Sequence, residues 1–250
     1  MKKSIVTAFI VVAFVAIAVF SAYSVFVIKD VTPTFTVTEN CTDQTDMIEE
    51  KLNDYKGQNL LFLDVDQVKN QLSINPYLEI ISVEKSYPNS LNVVVKERIE
   101  RYVVNYEGDS YAIDGNGYVL AKNTFFTQNL PVLVVTLESK PIISKPLTVI
   151  EGEKSLFAVA LTTVYNDNYT NNVNKIKIVK ELEKSDLILS TSTGVTIEVW
   201  DAQVRSNEKL TLGFTTYDEL LSDRDKYTHR VCVFEKADGT LTSTHTTHGN

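Results

Sequence analysis

The chain has 250 residues, of which 44% are hydrophobic and 22% charged, so most of it must fold around a core rather than stay disordered. With 2 Cys it has neither a disulfide framework nor a cysteine-rich zinc module, and its 3 His leave little material for metal binding or acid–base catalysis. The net charge of −8 repels phosphate groups, which disfavours binding of DNA or RNA. Composition alone makes an enzyme the less favoured class.

The N-terminal region predicts a membrane anchor. Residues 5–28 contain no charged side chain, and at ~1.5 Å per residue a helix of this length reaches roughly 36 Å, enough to cross a hydrocarbon core of about 30 Å. A cleaved signal peptide is the alternative, although its apolar stretch is normally about 7–15 residues long. Lys2 and Lys3 precede the run, so the positive-inside rule places residues 1–4 in the cytoplasm and the rest outside or in the periplasm. We therefore expect a single-pass protein of the cell inner membrane.

Residues 30–98 predict a small unit with the order strand, helix, helix, strand, strand. The first strand is indicated by strict alternation at 34–38. Two helices follow, the first ended by Gly57 and the second capped by Asp64 and stopped by Pro76. Alternating apolar residues on both sides of a turn at 87–90 predict a closing hairpin.

Four motifs in this unit match a known family. They are Gly-Gln-Asn-Leu at 57–60, Asn-Pro-Tyr-Leu-Glu at 75–79, V-x-K-x-x-P-x-x-L at 83–91 and Val-Lys-Glu-Arg at 95–98. Together with the βααββ order, they resemble the POTRA domain of the FtsQ/DivIB family of bacterial cell-division proteins. The resemblance implies a non-catalytic membrane protein with a POTRA domain followed by a β-domain.

After residue 98 a period of two dominates, with helical patterns at 155–166 and 208–221. Ile-Asp-Gly-Asn-Gly-Tyr-Val at 113–119 and Leu-Pro-Val-Leu at 130–133 are similar to further motifs of the family. We expect a mainly antiparallel β-domain with flanking helices over 99–244 and a flexible tail over 245–250. The predicted fold class is therefore α+β: an N-terminal transmembrane helix, a βααββ POTRA domain and a β-domain.

The sequence contains little that indicates chemistry. The S-x-x-K pattern occurs at 82–85 and 206–209, but no K-T-G partner accompanies it, so chance explains it better than a nucleophile. The acidic segments 64–66 and 114–117 lack the full spacing of a calcium loop and are better explained as a helix cap and a hairpin turn. We predict no enzyme activity, no metal and no cofactor. Cys41 and Cys232 would lie in an oxidising compartment, as a disulfide or as two separate thiols.

The resemblance also implies a partner-binding site. In FtsQ/DivIB proteins the final strand after the terminal turn binds FtsB or DivIC together with FtsL, and an edge strand can accept a partner by strand addition. Carried over to this sequence, the site comprises Phe234, Asp238, Gly239, Thr240, Leu241 and Ser243. An ordinary closing hairpin of the sheet is the alternative.

The resemblance implies a membrane-anchored scaffold of the divisome, enriched at the division septum. Its partners would be FtsB/DivIC-like and FtsL-like bitopic proteins and other divisome components, and their recruitment would regulate septal peptidoglycan synthesis. The alternative is a POTRA-containing envelope assembly or secretion factor that binds polypeptide. An envelope enzyme is a third hypothesis, against which the missing catalytic motifs argue.

Overall fold

The computed structural model describes residues 2–36, 45–123, 130–163, 173–181, 184–222 and 228–247. The chain divides into two compact units, Met1–Arg98 and Ile99–Asn250. Each unit buries a hydrophobic core of its own.

The first unit contains the predicted βααββ order after an N-terminal helix. Its elements are α1 (Lys2–Val25), β1 (Asp30–Thr36), α2 (Thr45–Asn53), α3 (Val65–Leu72), β2 (Leu78–Ser86) and β3 (Ser90–Glu97). The strands form a sheet in the order β1-β3-β2, with β1 parallel and β2 antiparallel to β3. β1 begins earlier than predicted because Asp30–Thr36 pair in register with β3; residues 37–38 lie outside the described residues.

The two helices cover this sheet with the residues that the periodicity singled out. Ile48 and Leu52 of α2 and Val68 and Leu72 of α3 are at most 1% exposed. α2 ends at Asn53, four residues before the end predicted at Gly57, and Gly57 takes a left-handed conformation, with φ +87°, in the turn that follows.

The N-terminus of α3 is capped as the sequence predicted. Asp64 has extended backbone angles, and its Oδ1 accepts hydrogen bonds from the backbone N–H of Asp66 at 3.0 Å and of Gln67 at 3.2 Å. These bonds satisfy two of the N–H groups that the first turn of a helix leaves without an intrahelical partner.

Asp64→Ala should therefore loosen α3. A cap of this kind contributes about 1 kcal/mol, so the backbone amides of α3 should exchange with deuterium roughly fivefold faster if they open locally. Asp64→Ser keeps a capping oxygen and should leave exchange near the wild-type rate. Equal acceleration in both variants would show that the side-chain oxygen is not what holds the turn.

α1 presents apolar side chains to its surroundings over the part of the helix whose side chains are described. Phe14 is 71% exposed and Phe20 is 74% exposed. Among the described residues, no helix combines the length and the apolar character that crossing a membrane requires.

The second unit is built on a large sheet. Its strands are β4 (Tyr102–Tyr106), β5 (Asp109–Ile113), β6 (Val119–Lys122), β7 (Val132–Val134), β8 (Val173–Glu181), β9 (Lys184–Thr191), β10 (Thr196–Val199), β11 (Thr228–Glu235) and β12 (Leu241–Thr247). Its helices are α4 (Lys154–Thr163) and α5 (Ser206–Ser222). The described strands follow the order β12-β11-β10-β9-β8-β7-β4-β5-β6. Most neighbours are antiparallel, while β4–β7, β7–β8 and β10–β11 are parallel. An α+β fold with a POTRA domain and a large sheet is thus confirmed.

α4 and α5 supply the helical side of the second core. α4 packs on β8 and β9, and α5 packs on β10, β11 and β12. Tyr102 is 1% exposed, and its hydroxyl donates to the carbonyl oxygens of Ala160 at 3.2 Å and Leu161 at 2.7 Å, which ties β4 to α4. α5 approaches the sheet closely at Gly213, as discussed below.

The two ends of the described sheet differ. At one end β6 is four residues long, and Val119 is bonded to a neighbouring loop: its N–H donates to Lys145 O at 2.9 Å and its carbonyl accepts from Ser144 N at 3.0 Å. At the other end lies β12, seven residues long and paired with β11. β12 extends to Thr247, and His245 pairs with Val231, so the expected tail at 245–250 starts too early; 248–250 lie outside the described residues.

Candidate partner-binding site

The terminal hairpin, formed by β11 and β12, carries all six predicted site residues, five of them in the turn and β12. The backbone N–H of Gly239 donates to Lys236 O at 2.9 Å, and the N–H of Lys236 donates to Thr240 O at 2.9 Å. Gly239 has φ +83°, the left-handed value required at the end of such a turn. Asp238 Oδ1 accepts from Thr240 N at 2.9 Å, and this hydrogen bond lowers the pKa of the Asp238 carboxyl. The segment from Asp238 to Ser243 is therefore a well-defined turn followed by a strand.

The turn determines which backbone groups of β12 face outward. In an antiparallel pair, residues that exchange hydrogen bonds alternate with residues that do not. Since Lys236 and Thr240 form a bonded pair, the alternation makes Thr242 and Thr244 the residues that bond to β11. The N–H and C=O groups at the positions between them then point away from β11, toward the open edge of the sheet. These positions are Leu241, Ser243 and His245.

The predicted side chains lie on two faces of the sheet. Ser243 is opposite Val233 on the face covered by α5, and its Oγ accepts a hydrogen bond from Thr216 Oγ1 of that helix at 2.8 Å. Leu241 has the same parity as Ser243 and is half-buried. Phe234 is opposite Thr242 on the other face, where its ring lies 5.3 Å from that of Trp200. The side chains of the six residues therefore do not share one surface, and of the six only Leu241 and Ser243 contribute backbone groups to the open edge.

Arg205 fixes the hairpin turn to the start of α5. Its Nη1 donates to Gly239 O at 3.0 Å and lies 3.8 Å from Glu235 Oε2, and its guanidinium also pairs with Glu208. The hydrogen bonds to Glu208 raise the pKa of the arginine, so the cation is retained throughout the physiological range. The hairpin turn is thereby fastened to the residue that precedes α5.

Lys209 of α5 stabilises the backbone turn at Trp200 and Asp201. It is 1% exposed, and its Nζ donates to the carbonyl oxygens of Trp200 at 3.0 Å and Asp201 at 2.8 Å. The lysine of the second S-x-x-K pattern is thus occupied in holding a backbone turn. It lies at the floor of an open hollow of about 520 Å³, next to Trp200, Val204 and Phe234.

The described residues contain no cluster of three His, Cys, Asp or Glu side chains that could hold a metal ion. Asp114, at the second calcium-like segment, instead accepts hydrogen bonds from the backbone of Asn116 at 2.9 Å and Tyr118 at 2.8 Å, which makes it a turn residue. Cys232 is a buried free thiol whose pKa is raised by desolvation; Cys41 lies outside the described residues.

Sequence reasoning missed several residues around the hairpin. Arg205 is separated from Gly239 by 34 positions, and no short motif signals such a contact. Thr216 lies within a predicted helix, but nothing in the sequence indicates its hydrogen bond to Ser243. His245 falls in the predicted tail, although the alternation of β-branched residues continues through Thr247 and favours a longer strand.

Fold and edge together define a POTRA-bearing protein whose second unit ends in an open β-strand. Residues 34–98 match the family described as "POTRA domain, FtsQ-type". The chain is 36% identical over 64 residues to the cell division protein DivIB of Clostridium tetani, which covers 26% of this chain and 24% of that relative. It is 30% identical over 77 residues to DivIB of Clostridium acetobutylicum, covering 31% of each.

A longer match reaches into the second unit. The cell division protein FtsQ of Myxococcus fulvus is 29% identical over 149 residues, 56% of this chain and 48% of the relative. The aligned segments thus span less than half of the length of these three relatives. The domain match and the names of these relatives confirm the predicted resemblance to the FtsQ/DivIB family.

Proposed function

We propose that the protein is a non-catalytic, membrane-anchored scaffold of the divisome. It recruits FtsB/DivIC-like and FtsL-like bitopic proteins at the division septum and thereby regulates septal peptidoglycan synthesis. The observation that carries this proposal is the open edge of β12, where the alternation directs the backbone groups of Leu241, Ser243 and His245 outward. A partner strand gains main-chain hydrogen bonds along such an edge without any cofactor.

Rigidity of the hairpin favours this role. Arg205 holds the turn at Gly239, and Thr216 holds the strand at Ser243. A partner therefore meets a strand that is already ordered, and binding loses less free energy to immobilisation than it would with a flexible segment.

The same proposal includes a membrane anchor at residues 5–28. It rests on the uncharged run at 5–28 and on the exposed apolar side chains of α1, of which Phe14 and Phe20 are examples. Residues 1–4 would lie in the cytoplasm and both units outside. Confinement to the membrane raises the effective concentration of the strand edge for partners that are themselves anchored there.

A photo-crosslinking amino acid at Thr244, exposed on β12, tests the proposal in cells that express the full chain. It should form adducts with small single-span division proteins. The matched control is the same amino acid at Asn105, exposed on β4 of the same sheet, which should not form them. Equal adducts at both positions, or none at Thr244, would contradict recruitment through β12.

A further inference from the structure

Three exposed apolar side chains lie where the POTRA unit joins α1. Phe62 is 79% exposed, Tyr87 is 59% exposed and Leu61 is 44% exposed. We call Leu61, Phe62 and Tyr87 the junction patch. Its neighbour Leu60 is fully buried in the POTRA core, so the chain turns one leucine inward and the next two residues outward. An isolated exposed apolar residue needs no explanation, but three at one end of a small domain do.

Hydrogen bonds fasten the patch to the last turn of α1. Asn59 is 6% exposed; its Nδ2 donates to Tyr23 O at 2.8 Å and its Oδ1 accepts from Leu61 N at 3.0 Å. The backbone N–H of Leu60 donates to Phe26 O at 2.7 Å. One asparagine side chain therefore connects the end of α1 directly to the first residue of the patch.

Tyr87, the third residue of the junction patch, contacts Phe26, the residue that follows α1. The rings of Tyr87 and Phe26 meet edge to face with centroids 6.0 Å apart. Lys85 Nζ lies 3.4 Å from Leu61 O, which places a cationic side chain beside the apolar residues. Aromatic rings next to a lysine are the combination that favours the boundary between lipid headgroups and acyl chains.

We propose that the junction patch inserts into the outer surface of the lipid bilayer and fixes the POTRA unit against it. The inference rests on the proposed anchoring by residues 5–28. If α1 spans the membrane, the residues bonded to Tyr23 and Phe26 lie at the depth where the helix emerges, and Leu61, Phe62 and Tyr87 are then in reach of the interface. Insertion to a depth of roughly 5–10 Å is typical of interfacial apolar side chains.

The consequence is a defined orientation of the POTRA unit. β2 runs from Leu78 to Ser86, next to Tyr87, and its nine residues cover roughly 30 Å at about 3.3 Å per residue. Ile74 lies beyond the far end of this strand and is 70% exposed. A patch that is held at the bilayer keeps Ile74 away from it, whereas a freely rotating unit would not.

Fluorescence quenching by lipid distinguishes these cases. The full chain with Trp200→Phe has no native tryptophan, so Phe62→Trp or Ile74→Trp introduces a single reporter. The variants are reconstituted in vesicles of phosphatidylethanolamine and phosphatidylglycerol containing lipid brominated in the acyl chains. We expect Phe62→Trp to lose most of its emission and to shift to shorter wavelength. Ile74→Trp, at a position of the same unit that is also well exposed (70%), should be nearly unaffected.

Extraction of the vesicles with alkaline carbonate separates the two proposals. If the chain stays in the vesicles but the emission of the Phe62→Trp variant is not quenched, the patch proposal is wrong and the anchor stands. If the chain is released from the vesicles, the anchor proposal and the patch proposal are both wrong. Equal quenching at positions 62 and 74 would also overturn the patch, because the unit would then lie on the bilayer without a preferred side.

Discussion

Replacing Ser243 with proline should strongly weaken partner capture while leaving the terminal hairpin folded. The N–H of residue 243 points away from β11, so proline removes an outward donor without removing a bond of the hairpin. Its ring also occupies space that the backbone of an added strand would need. Loss of one hydrogen bond of about 1 kcal/mol together with this clash should weaken capture by about tenfold or more. The measurement is recovery of single-span division proteins with the full-length chain from membranes.

Two further variants separate backbone from side-chain effects. Ser243→Ala removes only the hydroxyl that bonds to Thr216 and should retain most of the capture. Thr242→Pro removes a donor that faces β11 and should disrupt the hairpin itself. Trp200 is the single tryptophan and contacts Phe234 of the hairpin, so its emission reports whether the hairpin is intact. Wild-type capture by Ser243→Pro with unchanged Trp200 emission would rule out strand addition at β12.

Gly213→Val should strongly destabilise the second unit. A Cβ at this position would lie 2.9 Å from Ile197 Cγ2 and 3.2 Å from Val233 Cγ2, and both neighbours are fully buried. Ile197 and Val233 are β-branched strand residues with little rotamer freedom, so α5 must move away from the sheet. We expect a loss of about 3 kcal/mol in the free energy of unfolding, at the upper end for overpacked cores. Denaturant unfolding followed by Trp200 emission measures it.

Helix propensity and steric clash act in opposite directions at this site. Gly213→Ala gains about 1 kcal/mol of helix propensity, which offsets part of its clash, so it should fall between wild type and Gly213→Val. Asp218→Val places the same β-branched residue at an exposed position of α5 and should change stability by less than about 1 kcal/mol. If Gly213→Val unfolds at the same denaturant concentration as Asp218→Val, the close approach of α5 does not limit packing.

Local physics made the first unit predictable. The cap at Asp64, the left-handed glycine at 57 and the hairpin around 87–90 each depend on residues within a few positions of one another. β1 departs from this locality, because it pairs in parallel with β3 and not with β2, the next strand along the chain.

The second unit required information that sequence periodicity does not contain. β7 lies between β4 and β8, and β10 pairs in parallel with β11 across the whole of α5, so neighbours in the sheet are distant in sequence. For the same reason, the six predicted site residues could be located on one hairpin but not assigned to its two faces. Phe234 and Ser243 separate because the turn from Lys236 to Thr240 sets the pairing, and Arg205 stabilises that turn from a loop 34 residues away.

The unequal ends of the large sheet limit how copies of the protein can join. A sheet can extend from molecule to molecule into a fibre only if each copy has an unpaired edge strand at both ends of the sheet. Here the edge strand β6 is short and its first residue is hydrogen-bonded to a loop, while β12 is a longer edge strand at the opposite end of the sheet. Two copies that paired through β12 would form a two-fold dimer, and the β6 end of the same sheet offers little for further strand pairing. The unequal ends of this sheet therefore favour pairs of copies over longer assemblies.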